Sequence, residues 1–309
     1  MKPKIVVIAG PTASGKTAVA VELCRRLGGE VVSADSMQIY RGMEILSAAP
    51  TREEMRGIAH HMIGVAEPTE KYSAAKYRDA AKEIIAEIAA RGKMPVLCGG
   101  TGLYIDAVTR PMDFAETCDE ALRKELLAMA EAVGGRRRLH EMLEEIDPEA
   151  AAKLHENDVR RVTRAIEVYR LTGRTQREQA EEDRKRQGDY DETLFCLEWP
   201  RDVLYERIDR RVDGMLENRL IEEVARLKAD VNAHPTALQA IGYKEIAAAL
   251  DGDLPMETAV EMVKRLSRNY AKKQLTWFRR DPRAVWVAAE GRTPSEIADE
   301  MIERLEKEP

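Results

Sequence analysis

Apolar positions in the first hundred residues fall in short β-branched runs separated by longer stretches of helical period. Lys4–Ala9 is an apolar run of strand type, and a helical pattern follows over residues 15–27. Residues 30–34 read as a second strand, 73–91 as a long amphipathic helix, and 95–98 as a third strand ending in Gly99-Gly100. Strands alternating with helices predict a parallel sheet with right-handed crossovers. Runs that are apolar throughout predict helices on both faces of that sheet.

The pattern changes from about Glu116 to Gln187. Strand-like runs vanish, and charged helical segments joined by Gly134-Gly135, Asp147-Pro148, Gly173 and Gly188 take over. Residues 193–199 and 285–287 resume the strand pattern within an otherwise helical stretch from 202 to 307. The expected fold is therefore α/β: a parallel-sheet core from residues 1–115 and 190–309, with an all-helical insertion domain at 116–189. No internal repeat or low-complexity tract is present.

Composition narrows the class. Hydrophobic residues make up 44% of 309, enough for a core and too many for a disordered chain. No apolar run reaches the roughly 18–20 residues of a membrane span, and the opening run is too short for a secretory signal. Cys24, Cys98, Cys118 and Cys196 are scattered, without metal-ligand spacing. That fits a reducing cytosol rather than a disulfide framework or a zinc site, so a cytoplasmic protein is expected. The net charge of −6 speaks against nucleic acid, yet residues 264–283 hold eight basic side chains against one acid. Screening confines fields to about 8–10 Å, so a locally basic helix can still bind phosphates.

Gly10, Pro11, Thr12, Ala13, Ser14, Gly15, Lys16 and Thr17 match G-x-x-x-x-G-K-[ST], with a strand before and a helix after. Such a loop turns successive backbone N–H groups towards an anion, aided by the helix N-terminus. Lys16 supplies a point charge between phosphates and Thr17 a hydroxyl for Mg²⁺. The core is thus P-loop NTPase-like; a nucleoside triphosphate or any diphosphate ester would fit. Beyond the second strand lies Asp35-Ser36-Met37-Gln38, and beyond the third, Thr101 between glycines. A carboxylate and a hydroxyl facing one diphosphate could accept a proton from a nucleophile and orient it. Asp35 could instead cap a helix or lie behind a magnesium ligand, and Thr101 could be a turn hydroxyl.

GPTASGKT, then DSMQIYRGMEI, then CGGTGLY resembles the tRNA isopentenyltransferase family, the tRNA dimethylallyltransferases. Asn157-Asp158 with Arg161, Arg164, Ala165 and Glu167 is similar to the family's insertion-domain signature. Residues 241–245 and 271–279 are similar to its C-terminal ones. Glu156 and Lys273 depart from the family's common proline and arginine. No zinc-finger tail like that of eukaryotic members is seen, which points to the bacterial type.

The resemblance implies transfer of a dimethylallyl group from dimethylallyl diphosphate to N6 of the adenosine 3′ of the tRNA anticodon. It makes residues 10–17 the diphosphate cradle with Mg²⁺ on Thr17, Asp35 the proton acceptor, and Lys16 and Thr101 further catalytic groups. Arg207 would reach back to the diphosphate; without the resemblance it reads as a solvated helix-face charge. Asp35, Ser36, Met37, Gln38, Thr101, Arg123, Arg160, Arg161 and Arg164 would contact the anticodon stem-loop. Arg136-Arg137-Arg138 reads as a solvated helix start and Trp277 as core. The expected partners are tRNA and dimethylallyl diphosphate, with no membrane and a monomeric chain. The rivals are a small-molecule kinase with lid arginines, a free-adenylate prenyltransferase, and a nucleotide-switched RNA-binding protein.

Overall fold

The computed structural model describes residues 2–112, 119–230 and 236–307. The chain divides into two compact units, Met1–Thr109 with Tyr190–Pro309, and Arg110–Asp189. The expected start of the insertion at Glu116, and Cys118, lie outside the described residues.

The first unit begins with β1 (Lys4–Ala9), α1 (Lys16–Leu27), β2 (Glu30–Ser33), α2 (Arg52–Met55), β3 (His60–His61), α3 (Ala74–Ala90), β4 (Pro95–Gly99) and α4 (Gly102–Thr109). The second unit contributes α5 (Glu120–Glu131), α6 (Gly135–Ile146), α7 (Pro148–Lys153), α8 (Val159–Thr172) and α9 (Gln176–Lys185). The first unit resumes with β5 (Asp191–Glu198), α10 (Arg201–Glu217), α11 (Leu220–Ala229), α12 (Tyr243–Leu250), α13 (Met256–Arg279), β6 (Ala284–Ala288) and α14 (Pro294–Lys307). The predicted strands lie within one or two residues of those observed. The sheet also holds β3, two histidines with no apolar signal, which pair with Val31 and Val32 at its edge.

Among the described residues the six strands are all parallel, in the order β3-β2-β4-β1-β5-β6. Period-two alternation divides β1 between two cores. Ile5, Val7 and Ala9 face a core completed by α3, α4 and α11 to α13. Val6 and Ile8 face a second core with Val19, Leu23, Ile297 and Met301 of α1 and α14. The chain leaves β1 towards β2 on one side and β5 towards β6 on the other. The crevice at the carboxyl ends of β1 and β5 is therefore a topological switch point, where open α/β sheets bind ligands.

The second unit has its own core of Leu126, Leu139, Leu143, Val162 and Ile166. Its helices are capped by their own sequence: Asp119 accepts the N–H groups of Ala121 and Leu122, and Thr175 forms a capping box with Glu178. Among the described residues no helix is long and apolar enough to cross a membrane.

Candidate active site at the strand ends

Residues 10–17 join β1 to α1, with Gly10 at φ +147° and Gly15 at φ +88°. A side chain at Gly15 would hold a left-handed backbone on the helix cap, where only glycine is at ease. Lys16 folds over the loop, donating from Nζ to the Pro11 carbonyl (2.7 Å). Burial pulls its ammonium down to about 8, although the negative charge available at Asp35 opposes the shift.

Two arginines one helical turn apart on α10 complete the cradle. Arg207 Nε donates to the Ala13 carbonyl (2.9 Å), and its guanidinium lies 4.1 Å from the centre of the Trp199 ring. Trp199 in turn donates to the Ser14 carbonyl (3.0 Å). Arg207 is thus fastened to the phosphate loop and does not lie on a solvated helix face. Arg211 donates to Thr12 Oγ1 (2.9 Å) and is half-buried; the loss of water lowers its pKa against the opposing pull of Asp35. Sequence reading missed Arg211. Its i+4 spacing from Arg207 was the available signal, because residues so spaced share a helix face.

The neighbouring strand ends carry the polar groups. Asp35 Oδ1 accepts the N–H groups of Met37 (2.9 Å) and Gln38 (3.4 Å), so the carboxylate caps the turn after β2. Thr101 Oγ1 accepts the Ser36 N–H (3.1 Å) and donates to Ser36 Oγ (3.4 Å), joining the ends of β4 and β2. The hydroxyl of Tyr270 on α13 also bonds Thr101, and burial pushes that phenol up to about 12. Gln38 accepts from Ser33 Oγ (2.8 Å) and donates to the Ala48 carbonyl (3.3 Å). The two loops approach so closely that a Cβ on Gly99 would sit 2.1 Å from the Ala34 carbonyl oxygen.

One cavity of about 1530 Å³ is lined by residues 12–18, by Asp35, Ser36, Met37 and Gln38, by Arg207 and Arg211, and by Tyr270. Lys16, Arg207 and Arg211 are partly stripped of water there, with the Asp35 carboxylate acting on Lys16 and Arg211 and that of Glu54 on Arg211. Such a cavity favours a multiply charged anion, which returns to each cation the stabilisation that burial removed. Among the described residues no cluster of three or more His, Cys, Asp or Glu side chains could hold a metal by itself. A lone Thr17 hydroxyl beside a phosphate cradle does fit Mg²⁺ that takes its other ligands from substrate phosphates and water.

In the second unit, the candidate arginines divide into two kinds. Arg123 (2.6 Å) and Arg164 (2.9 Å) both donate to Oε2 of the fully buried Glu167, whose Oε1 accepts the Asp119 N–H. Arg161 is 75% exposed beside Asp158 (3.6 Å), and Arg160 is exposed on the same helix. Arg136 bonds Asn157 and Arg137 pairs with Glu141 at the start of α6.

Trp277, expected in the core, is 44% exposed. Ala271, Gln274 and Phe278 take the inward face of α13, and Trp277 stands one step round from it. Its indole lies against Gly102, where a Cβ would come within 2.3 Å of the ring, and donates to Asp106 (3.1 Å). The basic helix itself ends at Arg279, so Arg283 lies beyond it, bound to Asp281 and Glu192.

A sequence model of the IPP transferase family matches residues 38–281. A tRNA dimethylallyltransferase of Halalkalibacterium halodurans is 47% identical over 93% of this chain and 91% of the relative. One from Caldanaerobacter subterraneus subsp. tengcongensis is 44% identical over 99% of this chain and 98% of its own. Among solved structures, the tRNA isopentenylpyrophosphate transferase of Bacillus halodurans superposes with a TM-score of 0.74 at 43% identity, covering 99% of this chain and 98% of its own. A eukaryotic dimethylallyltransferase acting on tRNA superposes at 0.81 with 29% identity, covering 94% of this chain and 74% of its own. Matched along nearly its whole length and carrying the phosphate loop intact, the chain belongs to the IPP transferase family, the enzymes that transfer a dimethylallyl group to tRNA.

Proposed function

We propose that this chain moves the dimethylallyl group of dimethylallyl diphosphate to N6 of the adenosine immediately 3′ of the anticodon. The observation that carries the reading is the shared cavity of Lys16 and Asp35, with Thr101 bonded to the residue after Asp35. The backbone of residues 10–17, Lys16, Arg207 and Arg211 bind the diphosphate and stabilise the charge it gains as the allylic C–O bond breaks. Asp35 accepts the N6 proton as the new C–N bond forms, and Thr101 orients the amine. Thr17, with substrate phosphate oxygens, would hold Mg²⁺, which neutralises leaving-group charge when bound.

The second unit grips the anticodon stem-loop through Arg123, Arg160, Arg161 and Arg164, and the target base leaves its stack to reach Asp35. Ser36, Met37 and Gln38 contact the RNA beside it. The free thiols of Cys24, Cys98 and Cys196 support a cytosolic place for this work.

The test incubates the protein with unmodified total tRNA and dimethylallyl diphosphate, with Mg²⁺ or with EDTA, followed by nucleoside mass spectrometry. Dimethylallyl-adenosine formed only with metal is the expected result. Hydrolysis or transfer from [γ-³²P]ATP in a parallel arm, with no prenylated nucleoside, would favour the kinase reading and overturn this one.

A further inference from the structure

Gln274 lies on the inward face of α13 and is 5% exposed. Its Oε1 accepts the N–H of Thr12 in the phosphate loop (2.9 Å), and its Nε2 donates to the Gly100 carbonyl after β4 (2.9 Å). One planar amide therefore spans two loops that are far apart in sequence. A carboxamide both donates and accepts through one rigid group, which neither a carboxylate nor a hydrocarbon can do. The following residue after β4, Thr101, holds the turn that carries Asp35. Gly100 is what admits the amide: a Cβ there would lie 2.1 Å from Gln274 Nε2 and 3.3 Å from the Gly10 carbonyl oxygen. The paired glycines after β4 thus serve different neighbours, Gly99 the Ala34 backbone and Gly100 the Gln274 amide.

We infer that Gln274 is a positioning residue that sets the distance between the diphosphate cradle and the Thr101–Asp35 side of the site. This rests on the function proposed above and deepens it. With Gln274 in place, the leaving group and the proton-accepting side are held by one bridge. Without it, each loop keeps its own ligand but loses its register with the other. Misplacement of reacting groups by about 1 Å costs about a hundredfold in rate. A bridge that only stabilises the fold would leave the rate at saturation unchanged.

The test measures single-turnover transfer at saturating donor, tRNA and Mg²⁺, together with calorimetric binding of inorganic diphosphate and thermal unfolding. Gln274→Leu, close in volume and without the amide, should slow transfer by about ten- to a hundredfold while diphosphate affinity stays within about threefold. Gly100→Ala should reproduce the slowing, because its methyl displaces the amide. In the double variant Gly100→Ala/Gln274→Ala the methyl has no amide to strike, so the loss should match that of Gln274→Ala alone.

Full-rate transfer by Gln274→Leu, or losses that simply multiply in the double variant, would overturn the bridge. So would a loss confined to diphosphate affinity. Wild-type protein that neither binds diphosphate nor transfers would overturn the underlying function instead, and with it the bridge. A Gln274→Leu chain too unstable to assay leaves the Gly100→Ala comparison to decide, since that change keeps the amide.

Discussion

The proposed function gives Asp35 two duties that substitution can separate. Its Oδ1 caps the turn after β2 by accepting from Met37 and Gln38, and under that proposal its charge is the proton acceptor at N6. Asp35→Asn keeps an oxygen for both N–H groups, so the turn, the phosphate loop and the thermal midpoint should be nearly unchanged. The same substitution removes the base. Loss of a positioned general base costs about 10²–10⁴ in rate, or about 2.7–5.5 kcal/mol of barrier. Asp35→Ala removes the cap as well, at a further cost of about 0.5–2 kcal/mol of stability. For a unit of this size that lowers the midpoint by about 2–4 °C per kcal/mol.

Single-turnover transfer at saturating tRNA, donor and Mg²⁺, paired with thermal unfolding, reads both quantities. The expected pattern is two equally slow variants, of which only alanine is less stable. If Asp35→Asn transferred within about threefold of wild type, the carboxylate would be a turn cap and nothing more.

Lys16 gives a pH prediction with a definite sign. Its folded-state value, near 8, lies below its ordinary 10.5, so the ligand-free fold gains stability as pH rises from about 8 towards 10.5. Affinity for a fully ionised diphosphate should run the opposite way, holding below pH 8 and falling up to about tenfold per unit above it, as calorimetry across pH would show. Lys16→Ala should abolish transfer and flatten that decline; a wild-type decline that persists in the variant would refute the assignment. In the second unit, Arg161→Ala should raise the apparent KM for tRNA and reduce the salt slope of binding without altering stability. Arg164→Ala should also cost about 1–3 kcal/mol in thermal unfolding, because it strips one partner from the buried carboxylate of Glu167. Equal stability losses from the two substitutions would contradict the division between them.

Much of this protein is written in short-range pattern. β1, the glycine-rich loop and α1 are adjacent in the chain, and their apolar period and glycine spacing determine the strand–loop–helix path of residues 4–27. The alternation of strands and helices gave the parallel sheet, and the loss of strand-like runs after β4 marked the helical unit. Those features depend on backbone preferences and on periodicities of two and 3.6, which act over a few residues. What surrounds the cradle could not be read in that way. Arg211 and Arg207 look like any charged pair on a helix until α10 packs beside residues 12 and 13. β3 is too short and too polar to show a period, and it is a strand because β2 offers it a free edge. Trp277 is hydrophobic enough to suggest a core position, but the rotation of α13 gives the inward place to Gln274, whose partners lie 174 and 262 residues away. Hydrogen bonds of that span depend on the completed packing of the sheet and its helices, so only the tertiary structure could decide which polar side chains turn inward.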